Sequence, residues 1–315
     1  MKKKILDAIK NSNKIILSGH MNPDGDSIGS SLALGQYIKK VYPDKLVNVF
    51  IEFMPDTYSF LKGQELIISN IDKDEYDLFI ALDCGDKERL GEAVQIFENA
   101  SLTFNIDHHI SNTKFANENY VLNASSTSEM VYDLIEKDCI NKEIAEALYT
   151  GIIFDTGGLK HSNTTKKTLE IIGNLIEYQF NFSNIIDLLF NEKTYIQNKL
   201  LGAALMNASL AFGGKCIYAY LKSEDFNKHN GSFKDTDGII DALRVTKGVM
   251  VAFFLYETVD STFKISFRAN DKIDVCKIAM AFNGGGHTKA AGCSITGDYN
   301  KIIDEILELI QQQIL

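Results

Sequence analysis

Four apolar runs in this 315-residue chain each lead directly into a segment that contains aspartate or histidine. Each run reads as a strand, and the segments that follow are His20-Met21-Asn22-Pro23-Asp24-Gly25-Asp26, Asp83, Asp107-His108-His109 and Asp155. Open α/β sheets bind their ligands at the carboxyl ends of the strands. The pattern therefore predicts a sheet that collects these polar residues at one edge.

The first half of the chain alternates between strand-like and helical spacing, which is typical of a parallel sheet wrapped by helices. The strand-like runs are 14–18, 47–51, 78–82 and 102–106, and a helix is expected over 27–40. The apolar run 148–154 before Asp155 fits the end of either a helix or a strand. We predict the class α/β, with a parallel sheet and helices on both faces.

After about residue 180 the pattern changes. A long helical stretch over 183–211 reads as a connecting helix, and a smaller α/β domain follows it. The strand-like runs of that domain are 216–221, 249–256 and 262–268, and its helices are expected at 274–282 and 299–314. We predict a metal-binding catalytic domain over 1–182, a linker helix over 183–211 and a substrate-binding domain over 212–315.

Composition narrows the function. The net charge of -10 argues against a protein that coats long nucleic acid, because such binding neutralises phosphates with basic faces. No apolar run is long enough to span a bilayer, so no membrane role is expected. The scattered cysteines form no C-x-x-C pair, which argues against a zinc ribbon or disulfide framework and predicts a reduced, cytoplasmic protein; they are Cys84, Cys139, Cys216, Cys276 and Cys293. The oligomeric state stays open, a homodimer included.

The segment 20–26 combines three metal-ligand types in one turn. Gly25 lets the backbone turn so that Asp24 and Asp26 can both point at one volume. The alternative is that either aspartate caps the helix that follows. His20, four residues before Asp24, favours a metal site.

Consecutive histidines at a strand end are hard to explain by packing. One of His108 and His109 can bind metal while the other contacts substrate or supplies a proton. Asp83 and Asp155 taken singly are equally well explained as helix caps, and Asp86 is an alternative to Asp83. Together, the four segments predict a pair of divalent cations suited to phosphate ester hydrolysis.

These segments resemble the DHH phosphoesterase family, named for the triplet seen here as Asp107-His108-His109, over nearly the whole chain. The resemblance implies two divalent ions, manganese before magnesium or cobalt. One ion would be held by His20, Asp24 and Asp83, and the other by Asp26, Asp83, His108 and Asp155, with Asp83 as the bridge. The catalytic residues it implies are Asp83, His108, His109 and Asp107.

The second half resembles the DHH-associated substrate domain, through Gly284-Gly285-Gly286-His287 and Ala290-Ala291-Gly292. Glycine runs also occur in any tight turn, and an arginine on the protein surface is ordinary. A substrate-binding role and an ordinary structural role therefore both stay open for the glycines and for Arg268. Asn283 stands where the family often has another glycine. The substrate-binding residues that the resemblance implies are Arg268, Gly284, Gly285, Gly286, His287 and His109.

Within the family, the layout is similar to the nanoRNase type, as are the segments 124–129, 155–157 and 162–165, whereas 158–161 departs from the usual pattern. This implies hydrolysis of very short RNA, or DNA, to mononucleotides and removal of phosphate from 3'-phosphoadenosine 5'-phosphate. The first alternative is a linear or cyclic dinucleotide phosphodiesterase, and an inorganic pyrophosphatase ranks lower. A non-catalytic nucleotide-binding regulatory protein would predict a lost ligand, and none is missing.

Overall fold

The computed structural model describes residues 1–70, 75–258, 261–270 and 273–314. They form two compact units, Met1–Glu192 and Lys193–Leu315. Within the described residues, no helix is both long and apolar enough to cross a membrane. All five cysteines are free thiols.

The first unit contains a six-stranded sheet in the order β3-β2-β1-β4-β5-β6, in which all neighbours are parallel. The strands are β1 (Lys14–Ser18), β2 (Leu46–Phe50), β3 (Ile67–Ile68), β4 (Leu78–Leu82), β5 (Leu102–Asp107) and β6 (Glu118–Val121). The strand order reverses between β1 and β4, and such a switch point opens a crevice at the carboxyl ends of the two strands.

Helices cover both faces of this sheet. They are α1 (Lys2–Asn11), α2 (Gly25–Val41), α3 (Val94–Asn99), α4 (Thr127–Leu134), α5 (Lys142–Asp155), α6 (Lys166–Ile176) and α7 (Phe182–Ile186), with a π-helical turn at Asp187–Asn191. Short 3-10 segments lie at Asp56–Tyr58, Gln64–Leu66, Glu88–Ala93 and Lys137–Cys139. Alternate residues of one strand belong to different cores: Leu17 lies in the larger cluster and Ile16 in the smaller. Burial on both faces explains why the predicted strands are mainly apolar.

The second unit has a mixed sheet in the order β11-β12-β10-β9-β8-β7, where β8 and β9 pair in parallel and the other neighbouring strands that the structure describes pair antiparallel. Its strands are β7 (Ser209–Ala211), β8 (Cys216–Leu221), β9 (Val251–Glu257), β10 (Thr262–Ala269), β11 (Gly285–His287) and β12 (Ala290–Thr296). Its helices are α8 (Tyr195–Met206), α9 (Ser223–His229), α10 (Ile239–Arg244), α11 (Val275–Met280) and α12 (Tyr299–Ile314), with 3-10 turns at Phe212–Gly214 and Phe233–Thr236. The predicted fold class is confirmed.

Two local predictions are corrected. Asp155 does not follow a strand: it is the last residue of α5, a helix that begins after the Asn141 cap. The stretch 183–211 is not one helix, because α7 and its π turn end before Thr194, which caps α8, and the stretch finishes in β7. The side chains of Thr194 and Gln197 form a reciprocal capping box, which fixes a new helix start there.

Two glycines bring α2 and α5 unusually close together. A Cβ atom on Gly29 of α2 would lie 2.5 Å from the carbonyl oxygen of Ala147 and 3.0 Å from the amide nitrogen of Gly151, both in α5. Asp26 lies about one turn before Gly29, and Asp155 about one turn after Gly151. The close approach of the helices therefore carries Asp155 to the start of α2.

Candidate metal centre

The polar residues that follow the strands of the first unit meet at the switch point of the sheet. His20 comes two residues after β1, and Asp83 directly follows β4, its neighbour in the sheet. Asp107 ends β5, and His108 follows it. Because the strands are parallel, their carboxyl ends lie at one edge, as the sequence predicted.

A first group of ligand atoms comes from His20, Asp24 and Asp83, which lie within 4.8 Å of one another. The Nε2 atom of His20 is 3.5 Å from Oδ2 of Asp24 and 3.6 Å from Oδ2 of Asp83. The other ring nitrogen, Nδ1, lies 2.9 Å from the carbonyl oxygen of Met21. A proton held on Nδ1 by that carbonyl leaves Nε2 free to bind a metal.

Asp24 combines the two roles that the sequence left as alternatives. Its Oδ1 atom accepts hydrogen bonds from the amides of Asp26 and Ser27, at 3.0 and 3.1 Å, and so caps α2. Its Oδ2 atom faces His20. The helix cap therefore orients the carboxylate and leaves one oxygen for a ligand.

A second group comes from Asp26, His108 and Asp155. The Nε2 atom of His108 is 2.9 Å from Oδ2 of Asp155 and 3.4 Å from Oδ1 of Asp83. As in His20, the Nδ1 atom of His108 faces a backbone carbonyl, that of Ala124 at 3.3 Å. Both histidines thus present Nε2 to the site.

Asp83 lies between the two groups, with Oδ2 towards His20 and Oδ1 towards His108. It is almost fully buried, and its φ of 55° falls in the left-handed region, which is uncommon for a residue with a side chain. Asp86, the alternative, belongs to neither group, and its Oδ1 atom accepts a hydrogen bond from the amide of Arg89 at 2.9 Å. The geometry is what a bridging Asp83 requires.

Asp26 is held by the start of a helix that is distant in the sequence. Its Oδ2 atom accepts a hydrogen bond from the amide of Thr127 at 2.6 Å, and its Oδ1 atom one from the amide of Ser128 at 2.8 Å. The hydroxyl of Thr127 also donates to Oδ1 of Asp83 at 3.4 Å. Burial, and then the charges of Asp83 and Asp155, raise the pKa of Asp26. Sequence reasoning noted the segment 124–129 but missed this clamp on two ligands.

Asp107 serves the neighbouring histidine. Fully buried, it accepts a hydrogen bond on Oδ1 from Nδ1 of His109 at 2.7 Å, and another on Oδ2 from the side chain of Asn112 at 2.5 Å. The hydrogen bond with Asp107 is the main cause of the raised pKa of His109, whose side chain is 33% exposed. Asn112 was not predicted from the sequence, although its position five residues after Asp107 could have suggested a contact with that residue.

Nearby carboxylates determine the net direction of the pKa shift of His20, in the first group, and of His108, in the second. Burial alone would lower the pKa of His20, but hydrogen bonds to Asp24 and Asp83 raise it to about 10. Burial opposes protonation of His108 too, yet Asp155 and Asp83 raise its pKa to about 11. Divalent cations would replace these protons as the charges that offset the carboxylates.

The donor set fits a pair of divalent cations. Hard carboxylate oxygens with imidazole nitrogens suit magnesium, manganese and related ions, and thiolates are not needed. Asp83 belongs to the first group, and its Oδ1 atom lies 3.4 Å from Nε2 of His108 in the second, so ions held by the two groups would lie side by side.

In the second unit, Arg268 of β10 and His287 of β11 are both paired with Ala290 of β12, which lies between them. Directly paired residues project from one face of a sheet, so the two basic side chains leave that face about 10 Å apart, with a small residue between them. Arg268 lies 3.7 Å from Asp241.

The glycines before His287 have a packing role. A Cβ atom on Gly284 would lie 2.3 Å from the carbonyl oxygen of Gly292, and one on Gly286 2.5 Å from that of Ala290, whereas Gly285 is open. Asn283 has a φ of 57°, a conformation that asparagine tolerates better than most residues, so it can replace the expected glycine.

Comparison with known proteins agrees with this arrangement. Residues 14–152 match the DHH family, N-terminal domain, and residues 213–314 match the DHHA1 domain. The chain is 30% identical to the bifunctional oligoribonuclease and PAP phosphatase NrnA of Bacillus subtilis, over 94% of this chain and 93% of that protein. It is 29% identical to the protein of the same name from Thermus thermophilus, over 95% of this chain and 90% of that protein. Among solved structures, an exopolyphosphatase-related protein from Bacteroides fragilis superposes with a TM-score of 0.85 at 27% identity, over 99% of this chain and 95% of that one.

Proposed function

Because this chain belongs to the DHH family and is a hydrolase of phosphoester bonds, we propose that it degrades very short RNA oligonucleotides to mononucleotides and dephosphorylates 3'-phosphoadenosine 5'-phosphate. The observation that carries the proposal is the position of Asp83, which belongs to the first ligand group and whose Oδ1 atom lies 3.4 Å from Nε2 of His108 in the second. The names of the two bacterial relatives support the choice of substrates. The free thiols suit the reducing cytoplasm, where we propose that it acts.

Phosphoesterases of this family use divalent metals, and we propose manganese for this protein. When bound, such a pair would activate water as the nucleophile near neutral pH and offset the negative charge of the phosphoryl group. The first ion would be held by His20, Asp24 and Asp83, and the second by Asp26, Asp83, His108 and Asp155.

His109 is our proposed proton donor to the departing 3' oxygen. Its hydrogen bond with Asp107 fixes the ring and raises the pKa of His109, which favours the protonated form that can donate. The ring is partly exposed, so a substrate oxygen can approach it. Asp107 acts through His109 and is a positioning residue in this scheme.

We propose that Arg268 and His287 bind a substrate phosphate, together with the amides of Gly284, Gly285 and Gly286. This proposal is supported by the position of the two side chains on one face of the sheet, with the small Ala290 between them. An arginine that binds one phosphate needs no basic track, which fits short substrates and a net charge of -10.

The test is a time course with end-labelled RNA from two to about twenty-five nucleotides, a span that covers a short single-strand site. Manganese, magnesium and cobalt are compared, with 3'-phosphoadenosine 5'-phosphate and cyclic dinucleotides as further substrates. We expect mononucleotides from the shortest RNAs and phosphate release from the bisphosphate. Cleavage of cyclic dinucleotides alone would refute the proposal in favour of the dinucleotide phosphodiesterase.

A further inference from the structure

A shallow depression lies beside the metal centre, between the loops that follow β1 and β2. Its lining, called here the base pocket, consists of Asn22, Pro23, Glu52, Phe53 and Pro55, and its volume is about 260 Å³. Asn22 and Pro23 belong to the loop that carries His20 and Asp24. Pro23 is bonded to Asp24, so their Cα atoms are about 3.8 Å apart. A ligand in the base pocket therefore touches the loop that supplies two metal ligands.

Phe53 is a large aromatic residue that burial does not explain, since 71% of it is exposed. Pro23 and Pro55 add flat, rigid apolar surface to the same lining. Nucleobases stack on exposed aromatic rings in proteins that bind single strands, and this stacking tolerates any base because every base has a π-face. The lining thus offers a planar ring a stacking partner.

The polar groups of the base pocket select against a phosphate. The lining has one charged side chain, the Glu52 carboxylate, which repels anions. A carboxylate accepts hydrogen bonds from the exocyclic amino groups of adenine, cytosine and guanine. Uracil has no amino group, and its ring N–H stands between two carbonyl oxygens. The Asn22 amide can both donate to and accept from a base edge.

We propose that the base pocket holds the nucleobase of the nucleotide whose phosphate is hydrolysed at the metal centre, and that Glu52 makes it prefer bases with an amino group. The inference rests on the proposed function, which it deepens: Phe53 supplies affinity, and Glu52 supplies selectivity.

Steady-state kinetics on the dinucleotides ApA, CpC, GpG and UpU test the proposal. Phe53→Ala should raise KM about tenfold on all four with little change in kcat, because stacking is lost from a bound base. Phe53→Tyr should restore the KM. In the wild type, UpU should have a KM about tenfold above that of ApA, and Glu52→Gln should reduce this ratio towards one. Leu46→Ala is the matched control, since Leu46 is 47% exposed at the opposite end of β2.

Two abasic analogues of ApA, each lacking one base, identify which nucleotide is held. One analogue should lose its sensitivity to Phe53→Ala and the other should keep it. Equal sensitivity of both analogues, or an unchanged KM for Phe53→Ala on every dinucleotide, would overturn the proposal.

Calorimetric binding of adenosine 5'-monophosphate separates the base pocket from the proposed function. Phe53→Ala should weaken this binding about tenfold, while ribose 5-phosphate should bind the wild type and the variant equally. If the wild type cleaves no dinucleotide but shows this difference, the proposed function fails and the base pocket stands. If the nucleotide binds both proteins equally, the base pocket is refuted.

Discussion

Substitution of Gly151 by alanine is the sharpest test of how helix packing builds the candidate metal centre. A Cβ atom at this position would lie 2.0 Å from Oγ of Ser128, 2.8 Å from Cβ of Ser128 and 2.6 Å from Oδ1 of Asp26. Rotation of the serine hydroxyl relieves only the first contact. The other two require α4 or the Asp26 carboxylate to move.

The displacement can be worked out from these distances. Ordinary contact begins at 3.4 Å, so the Asp26 oxygen must retreat by about 0.8 Å, beyond the roughly 0.5 Å that a preorganised site tolerates. Overpacking costs about 1–3 kcal/mol, and alanine returns about 1 kcal/mol through its helix propensity, so we expect a net loss of about 0–2 kcal/mol. We expect affinity for the ion that Asp26 helps to hold to fall about 10–100-fold, as when groups that orient ligands are lost.

Calorimetric titration with manganese and thermal unfolding of the metal-free protein measure the two effects separately. Gly173→Ala in α6 is the matched control, because nothing lies within 4 Å of its added Cβ atom. The control should bind manganese like the wild type and be up to about 1 kcal/mol more stable. Two ions bound by Gly151→Ala with wild-type affinity would refute the idea that α5 packing fixes Asp26.

Further predictions concern the ligands themselves. Asp83→Ala should bind fewer than two ions and lose activity about a thousandfold or more, whereas Asp86→Ala, from the same loop, should keep both ions and the activity. Calorimetry measures the ions bound, and hydrolysis rates measure the activity. An equal effect of the two substitutions would mean that Asp83 is not the bridging ligand. Asp107→Asn should lower kcat about 10²–10⁴-fold with manganese binding retained, which would point to His109 as the proton donor; loss of an ion instead would make Asp107 a ligand. Manganese affinity should rise from pH 6 to pH 8 by about tenfold per unit for each proton displaced, because the raised pKa values of His20 and His108 make protons compete with metal; titrations in buffers of different ionisation enthalpy count those protons, and none released would contradict the site. Because their pKa values are raised, His20 and His108 stabilise the metal-free protein below pH 6.5, and this contribution is lost as the pH rises towards 10. The unfolding temperature of the metal-free protein should therefore fall over that range. An unfolding temperature that does not change with pH would contradict this prediction.

The residues at the strand ends could be predicted from the amino-acid sequence alone. Mainly apolar runs predicted β1, β4 and β5 within one residue, because strands buried on both faces are built mostly from apolar side chains. Once the sheet is parallel, its carboxyl ends share an edge, and His20 and Asp83 must meet there. These inferences need only local periodicity and one topological rule.

The rest of the site depends on contacts between segments that are distant in the sequence. Asp155 reaches Asp26 from the end of a helix, because Gly29 and Gly151 let α2 and α5 approach closely. The amide of Thr127 clamps Asp26 across 101 residues of sequence. Such contacts depend on how separate segments pack against each other, and a local pattern of residues does not show which distant segment it will contact.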